Sequence, residues 1–221
     1  MDNLTIISLK WMHIIAGSLA LLAGPIAMVN QNGGQIHRIS GRIYYWSMIV
    51  ICLTTLVLSI YRSNWLLLMI GAFTAYLVLS AYRALALKNL HKGQKAERVD
   101  WIILIASAIS AAALIITGGY LLYYGKSFGF VPLTFGLVMS SGVKQDYKRF
   151  TVPPTEKNHW LLKHITGMMG GYIATITAFL VQNIHTDPAF ILWLAPSLII
   201  APFIAYTVRK FKKGPGKIKL T

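Results

Sequence analysis

Acid is scarce in this chain: six aspartates and glutamates stand against 21 lysines and arginines in 221 residues. The charged fraction, 12%, is about half that of an ordinary soluble domain. Cysteine is nearly absent. Cys52 alone excludes a disulfide framework, a Cys-x-x-Cys redox pair and a thiolate metal cluster, and its place inside an apolar run reads as small-residue packing. No His-Glu-x-x-His run, no paired carboxylates and no phosphate-cradling glycine loop occurs, which leaves metalloprotease, glycosidase and nucleotide-hydrolase chemistry without a basis. Whether the protein is an enzyme stays open.

Hydrophobicity is abundant instead. Apolar residues make up 56% of the chain and fall in blocks of about twenty, the length that crosses a bilayer. The pattern predicts an all-α, polytopic membrane helix bundle with seven transmembrane helices at residues 8–29, 43–61, 65–87, 101–124, 128–141, 160–182 and 189–208. Six of these are long enough for about 30 Å of hydrocarbon at 1.5 Å per residue. The fifth covers only about 20 Å unless Gly125, Lys126, Gly142 and Val143 extend it.

Charge placement decides for the fifth span. With seven crossings, all but five of the 21 bases fall on one side. The exceptions are Lys10, Arg62 and Lys126 on the other side, and Arg83 and Lys163, which lie within a turn or so of the basic side and can snorkel toward it. The positive-inside rule then puts the N-terminus out and the C-terminus in. Residues 1–208 read as a single seven-helix transmembrane domain and 209–221 as a basic cytoplasmic tail. The stretch before Lys10 has no basic residue, so the first block is expected to be retained as a span rather than cleaved as a signal. The location implied is the plasma, or inner, membrane.

The same distribution bears on partners. Bases scattered through loops suit anionic lipid at the cytoplasmic face better than nucleic acid, which needs a basic face or stripe. The bilayer is therefore the expected partner, nucleic acid is not, and a homo-oligomer stays open. All six acids lie in loops or at the predicted span edges, which disfavours a carboxylate-driven pump. The tyrosines, Tyr76 among them, mostly cluster near interfaces and need no catalytic role.

Histidine is the ionisable chemistry that remains. His13 heads a stripe with Gly17, Ala20 and Gly24, and His164 heads another with Met168, Gly171, Thr175 and Ala178. Offsets of four, seven and eleven return to one helix face. Small residues permit close helix approach, so the plainer reading is tight packing with hydrogen-bonded imidazoles. The sharper reading is haem b, which needs an axial imidazole and a small-residue groove for the macrocycle. His13 and His164 sit near opposite membrane faces, so other ligands would be required. The candidates are His37, His91 and His159 inside and His185 outside. A neutral imidazole also suits a quinone, a lipid headgroup or a metal ion. Ser107, Ala111, Leu114 and Gly118 form a further small-residue seam.

The loop after the first span runs Asn32, Gly33, Gly34, Gln35, Ile36, His37, Arg38, Ile39, Ser40, Gly41, Arg42. If a helix starts near Ile36, Arg38 and Arg42 share a face at the cytoplasmic surface. Lipid phosphate is their plainer partner and an anionic substrate the sharper one.

The run His13, Gly17, Ala20, Leu21, Gly24, Pro25, followed by His37, Arg38, Gly41, Arg42 and Tyr44, resembles the opening of a bacterial family of multi-pass membrane proteins, domain of unknown function 2306. The resemblance covers residues 11–46 and, more weakly, 163–179. It implies a helical inner-membrane protein whose activity is not established, and it draws attention to His13, His37, Arg38 and His164 without giving them roles. The expected function is a membrane protein that binds or passes a small molecule or lipid, with a haem b or quinone redox protein as the alternative.

Overall fold

The computed structural model describes residues 3–30 and 33–212. Asp2, Asn32 and most of the expected basic tail, with Lys213, Lys217 and Lys219, lie outside the described residues. Among the described residues seven helices form: α1 (Asn3–Val29), α2 (Gln35–Tyr61), α3 (Trp65–Arg83), α4 (Arg98–Tyr123), α5 (Phe130–Thr151), α6 (His159–Asn183) and α7 (Phe190–Lys212). Two 3₁₀ turns, Leu90–Lys92 and Ser127–Gly129, complete the regular structure, and no strand occurs among the described residues.

All helices but α5 are long and apolar enough to cross a membrane. A helix satisfies its own N–H and C=O groups, the condition that hydrocarbon imposes on any spanning segment. Their outward faces are apolar as well: Leu4, Ile7, Ile14 and Leu22 on α1 and Leu198, Ile199 and Phe203 on α7 are exposed. Exposed apolar residues along whole helices suit lipid rather than water. This is an integral, multi-pass, all-α membrane protein.

The exception, α5, is 22 residues long, about 33 Å at the α-helical rise. Its apolar part is short because Lys144, Asp146, Lys148 and Arg149 occupy its last two turns. Gly142 and Val143 join it, as an extended fifth segment requires, whereas Gly125 and Lys126 do not. Gly125 takes φ +70°, and the Gly125 and Lys126 N–H groups bond back to Leu122 and Leu121, closing α4 with a left-handed cap.

The described residues form two compact units that divide within α3, one up to Gly71 and the other from Ala72 onward. In the first unit α1 and α2 pack as a hairpin. The buried α1 residues Ala16, Ala20, Ala23, Gly24 and Ala27 recur at three and four, the small-residue stripe that lets two helices approach. In the second unit α4 packs on α5 and α6 on α7. The seam expected on α4 is real: Ser107, Ala111, Leu114 and Gly118 are all buried. A Cβ added at Gly118 would sit 2.5 Å from the Leu133 backbone nitrogen of α5. Phe73 stacks on Phe135 with ring centroids 5.1 Å apart, joining α3 to α5.

Candidate functional site

The three histidines and two arginines singled out in the sequence fall on both units. In the first, His13 Nδ1 lies 2.9 Å from Thr54 Oγ1. That hydroxyl already donates to the Val50 carbonyl at 2.7 Å, so it accepts from the imidazole, which fixes the proton on Nδ1. His37 donates from Nδ1 to the Ala27 carbonyl at 2.8 Å. His13 and Ala27 are separated along α1 by about 21 Å at the helical rise, so the two imidazoles hold opposite ends of the α1–α2 hairpin. They do not fit a single haem iron between them. Arg38 and Arg42 stand exposed, one turn apart, in the first turns of α2.

In the second unit His164 donates from Nδ1 to the Ala81 carbonyl at 3.2 Å. The contact is close because a Cβ at Gly167 would lie 2.5 Å from Ala81 Cβ. Each of these imidazoles ties one helix to another, as the packing reading expects, and nothing in their geometry indicates a haem or a quinone. His91 and His159 meet edge to face with centroids 5.8 Å apart, and His91 donates to the Lys88 carbonyl at 3.0 Å. Among the described residues no group of three or more histidine, cysteine or carboxylate side chains is arranged to hold a metal ion.

The densest chemistry lies elsewhere in this unit. Asp146, expected in a loop, is inside α5 and only 2% exposed. Its Oδ2 accepts from Tyr76 Oη at 2.7 Å and from Lys163 Nζ at 2.7 Å, and Lys163 also donates to Tyr76 Oη at 3.1 Å. Arg149 Nη2 stands 3.5 Å from Oδ1. Lys163 therefore does not snorkel to the surface. A buried carboxylate gives the ammonium a nearer partner than water, and the Lys163 side chain is only 13% exposed. Tyr76, expected as an interfacial ring, is likewise buried and bound into this node.

A second ion pair lies alongside. Arg83 grips Asp100 with two parallel bonds, Nε to Oδ1 at 2.8 Å and Nη2 to Oδ2 at 3.0 Å. It also reaches the exposed Glu97 at 3.0 Å. Asp100 Oδ2 accepts the Glu97 backbone N–H at 2.9 Å, which caps the start of α4. Between the two groups is a cavity of ≈ 10 Å³ lined by Tyr76, Ser80, Arg83, Leu87, Asp100, Ile103, Leu104, Asp146, Arg149 and Phe150. Four buried atoms of these lining residues, Ser80 Oγ, Asp146 Oδ1 and Arg149 Nε and Nη1, have no hydrogen-bond partner.

The sequence did carry a signal for Asp146. Phe135, Met139 and Asp146 are buried on α5, and steps of four, three and four from Phe135 pass through Met139 and Gly142 to Asp146. An acid on the buried stripe of a helix needs partners. On α6, Lys163 is similarly one turn from the buried His159 and Gly167. What the sequence could not say is that these two stripes face each other.

A family profile described as Predicted membrane protein (DUF2306) matches residues 10–143. No curated protein and no solved structure matches the chain.

Proposed function

We propose, since the chain belongs to the DUF2306 family of predicted membrane proteins, that it passes a small species through the membrane and that the species is the proton. Asp146 is the group that takes it up. The observation behind this reading is the division of labour between the two oxygens of one buried carboxylate. Oδ2 holds Tyr76 and Lys163, while Oδ1 has no hydrogen bond, faces Arg149 Nη2 at 3.5 Å, and belongs to a residue that lines a cavity. A carboxylate open on one side can accept a proton there. Protonation at Oδ1 would neutralise Asp146 and release both Lys163 and Arg149 from their ion pairs, and loss of the proton would restore them. Ionisable side chains inside a span are costly and mark ion pathways and proton relays.

The topology that accompanies this reading has seven crossings, N-terminus out and C-terminus in, in a bacterial inner membrane. The length of α5 and the crowding of bases into alternate connections support it. Anionic lipid at the cytoplasmic face is the partner proposed for Arg38 and Arg42. A tag after Thr221 should be reachable only from the cytoplasmic side, and reactivity from outside would refute the orientation.

Proton movement is tested in liposomes carrying the purified protein, a trapped pH dye and a potassium potential set by valinomycin. Wild-type protein should acidify or alkalinise the lumen faster than empty liposomes. Asp146→Asn should return the rate to background. Wild-type rates equal to those of empty liposomes would refute the reading.

A further inference from the structure

We infer that the cavity beside Asp146 binds one water molecule, and that this water is the port through which protons reach Asp146 Oδ1 from the loop side. The second half of this inference rests on the proton reading above; the first half does not.

Three observations converge on water. The volume, ≈ 10 Å³, is about the smallest space that accommodates a water molecule. The polar groups without partners match what a water offers. Asp146 Oδ1 can only accept, Arg149 Nε and Nη1 can only donate, and Ser80 Oγ can do either. A water donating to Asp146, accepting from Arg149 and exchanging a bond with Ser80 would have three partners, the usual number for a buried water. Asp146 and Ser80 are 2% and 8% exposed, so bulk solvent does not meet their needs.

Charge argues against an ion in the same place. Arg83 pairs with Glu97 and Asp100, and Arg149 and Lys163 share Asp146, so three bases stand against three acids and the set is neutral as a whole. A chloride would face the open oxygen of Asp146, and a sodium ion would face Arg149. A neutral dipole satisfies both sides at once.

Exposure also supplies a direction. The side chains run from Glu97 at 63% exposed through Arg83 at 23% to Asp100 at 1%, and both Arg83 and Asp100 line the cavity. The ion-pair network thus runs from the exposed Glu97, on the connection preceding α4, to Arg83 and Asp100 in the lining that Asp146 shares. Tyr76 and Lys163 occupy the far oxygen, so the water contacts the carboxylate only on its open side.

Two measurements test this. A structure of the full-length protein in lipid nanodiscs, at a resolution that shows ordered water, should place density within hydrogen-bond distance of Asp146 Oδ1 and Ser80 Oγ. Absence of density, or density of a chloride or sodium ion, would overturn the water assignment. In the liposome assay, Ser80→Leu, which fills the cavity, should lower the proton rate about tenfold with Asp146 intact. Ser80→Ala, which leaves space and two partners, should lower it less. If Ser80→Leu does not fold, Ser80→Val takes its place. An unchanged rate in the filled variant would overturn the port. A water seen in protein that moves no protons refutes the proton reading and leaves the site standing; proton movement without that water refutes the site alone.

Discussion

Tyr76 and Asp146 stand seventy residues apart in the chain and 2.7 Å apart in the fold. The phenol of α3 meets a carboxylate of α5 on the oxygen that also holds Lys163 of α6. Three helices, α3, α5 and α6, are therefore fixed to one another through a single atom, Asp146 Oδ2. Arg83 and Asp100 fasten α3 to α4 in the same manner. Membrane helices gain little from apolar burial against one another, since lipid is as apolar as leucine, and polar contacts of this kind carry more of their specificity.

Removing the charge of Asp146 should be destabilising. Asp146→Ala leaves Lys163 and Arg149 buried without a counter-charge, and breaking a buried ion pair on one side costs about 3–5 kcal/mol. Thermal unfolding followed by size-exclusion fluorescence in detergent should show a clear loss. The double variant Asp146→Leu with Lys163→Met, which leaves only Arg149 without its counter-charge, should recover part of it. Equal losses in the single and double variants would argue against the pair.

The α4–α5 seam should reject any side chain at Gly118. Gly118→Val places its Cβ on the Leu133 backbone, and overpacking of this kind costs about 1–3 kcal/mol. Gly119 is the control, because nothing lies within 4 Å of a Cβ built there, so Gly119→Ala should be nearly neutral. Comparison of monodisperse yield for the two variants checks the prediction.

Arg38 and Arg42 should confer a preference for anionic lipid. Each exposed base near a charged leaflet contributes about 1 kcal/mol. Replacement of both by serine should therefore weaken retention of phosphatidylglycerol, measured by native mass spectrometry, by about thirtyfold. Retention equal to wild type would assign these residues another role.

An absorption spectrum separates the packing and haem readings of the histidines. Protein purified gently from haem-replete cells is expected to show no Soret band. His13→Ala should lower stability through the lost bond to Thr54, by about 1 kcal/mol. A Soret band that vanishes in His164→Ala would establish the redox reading instead.

Residue composition and order sufficed for the membrane, the helices and the family. Apolar blocks of spanning length admit only helices when the backbone must satisfy itself, and the small-residue seam on α4 was legible because helical periodicity depends on the sequence alone. The run from His13 to Tyr44 carried the family resemblance. Tertiary structure decided where the charge goes. Asp146 and Lys163 read as edge residues because hydropathy treats each charge singly, with water or the headgroup layer as its only outlet. Folding supplies another outlet, a partner from a distant helix. Only the packing of α3, α5 and α6 brings Tyr76, Asp146 and Lys163 within hydrogen-bond reach, since contacts between helices depend on how the helices turn toward each other and not on the spacing within any one of them.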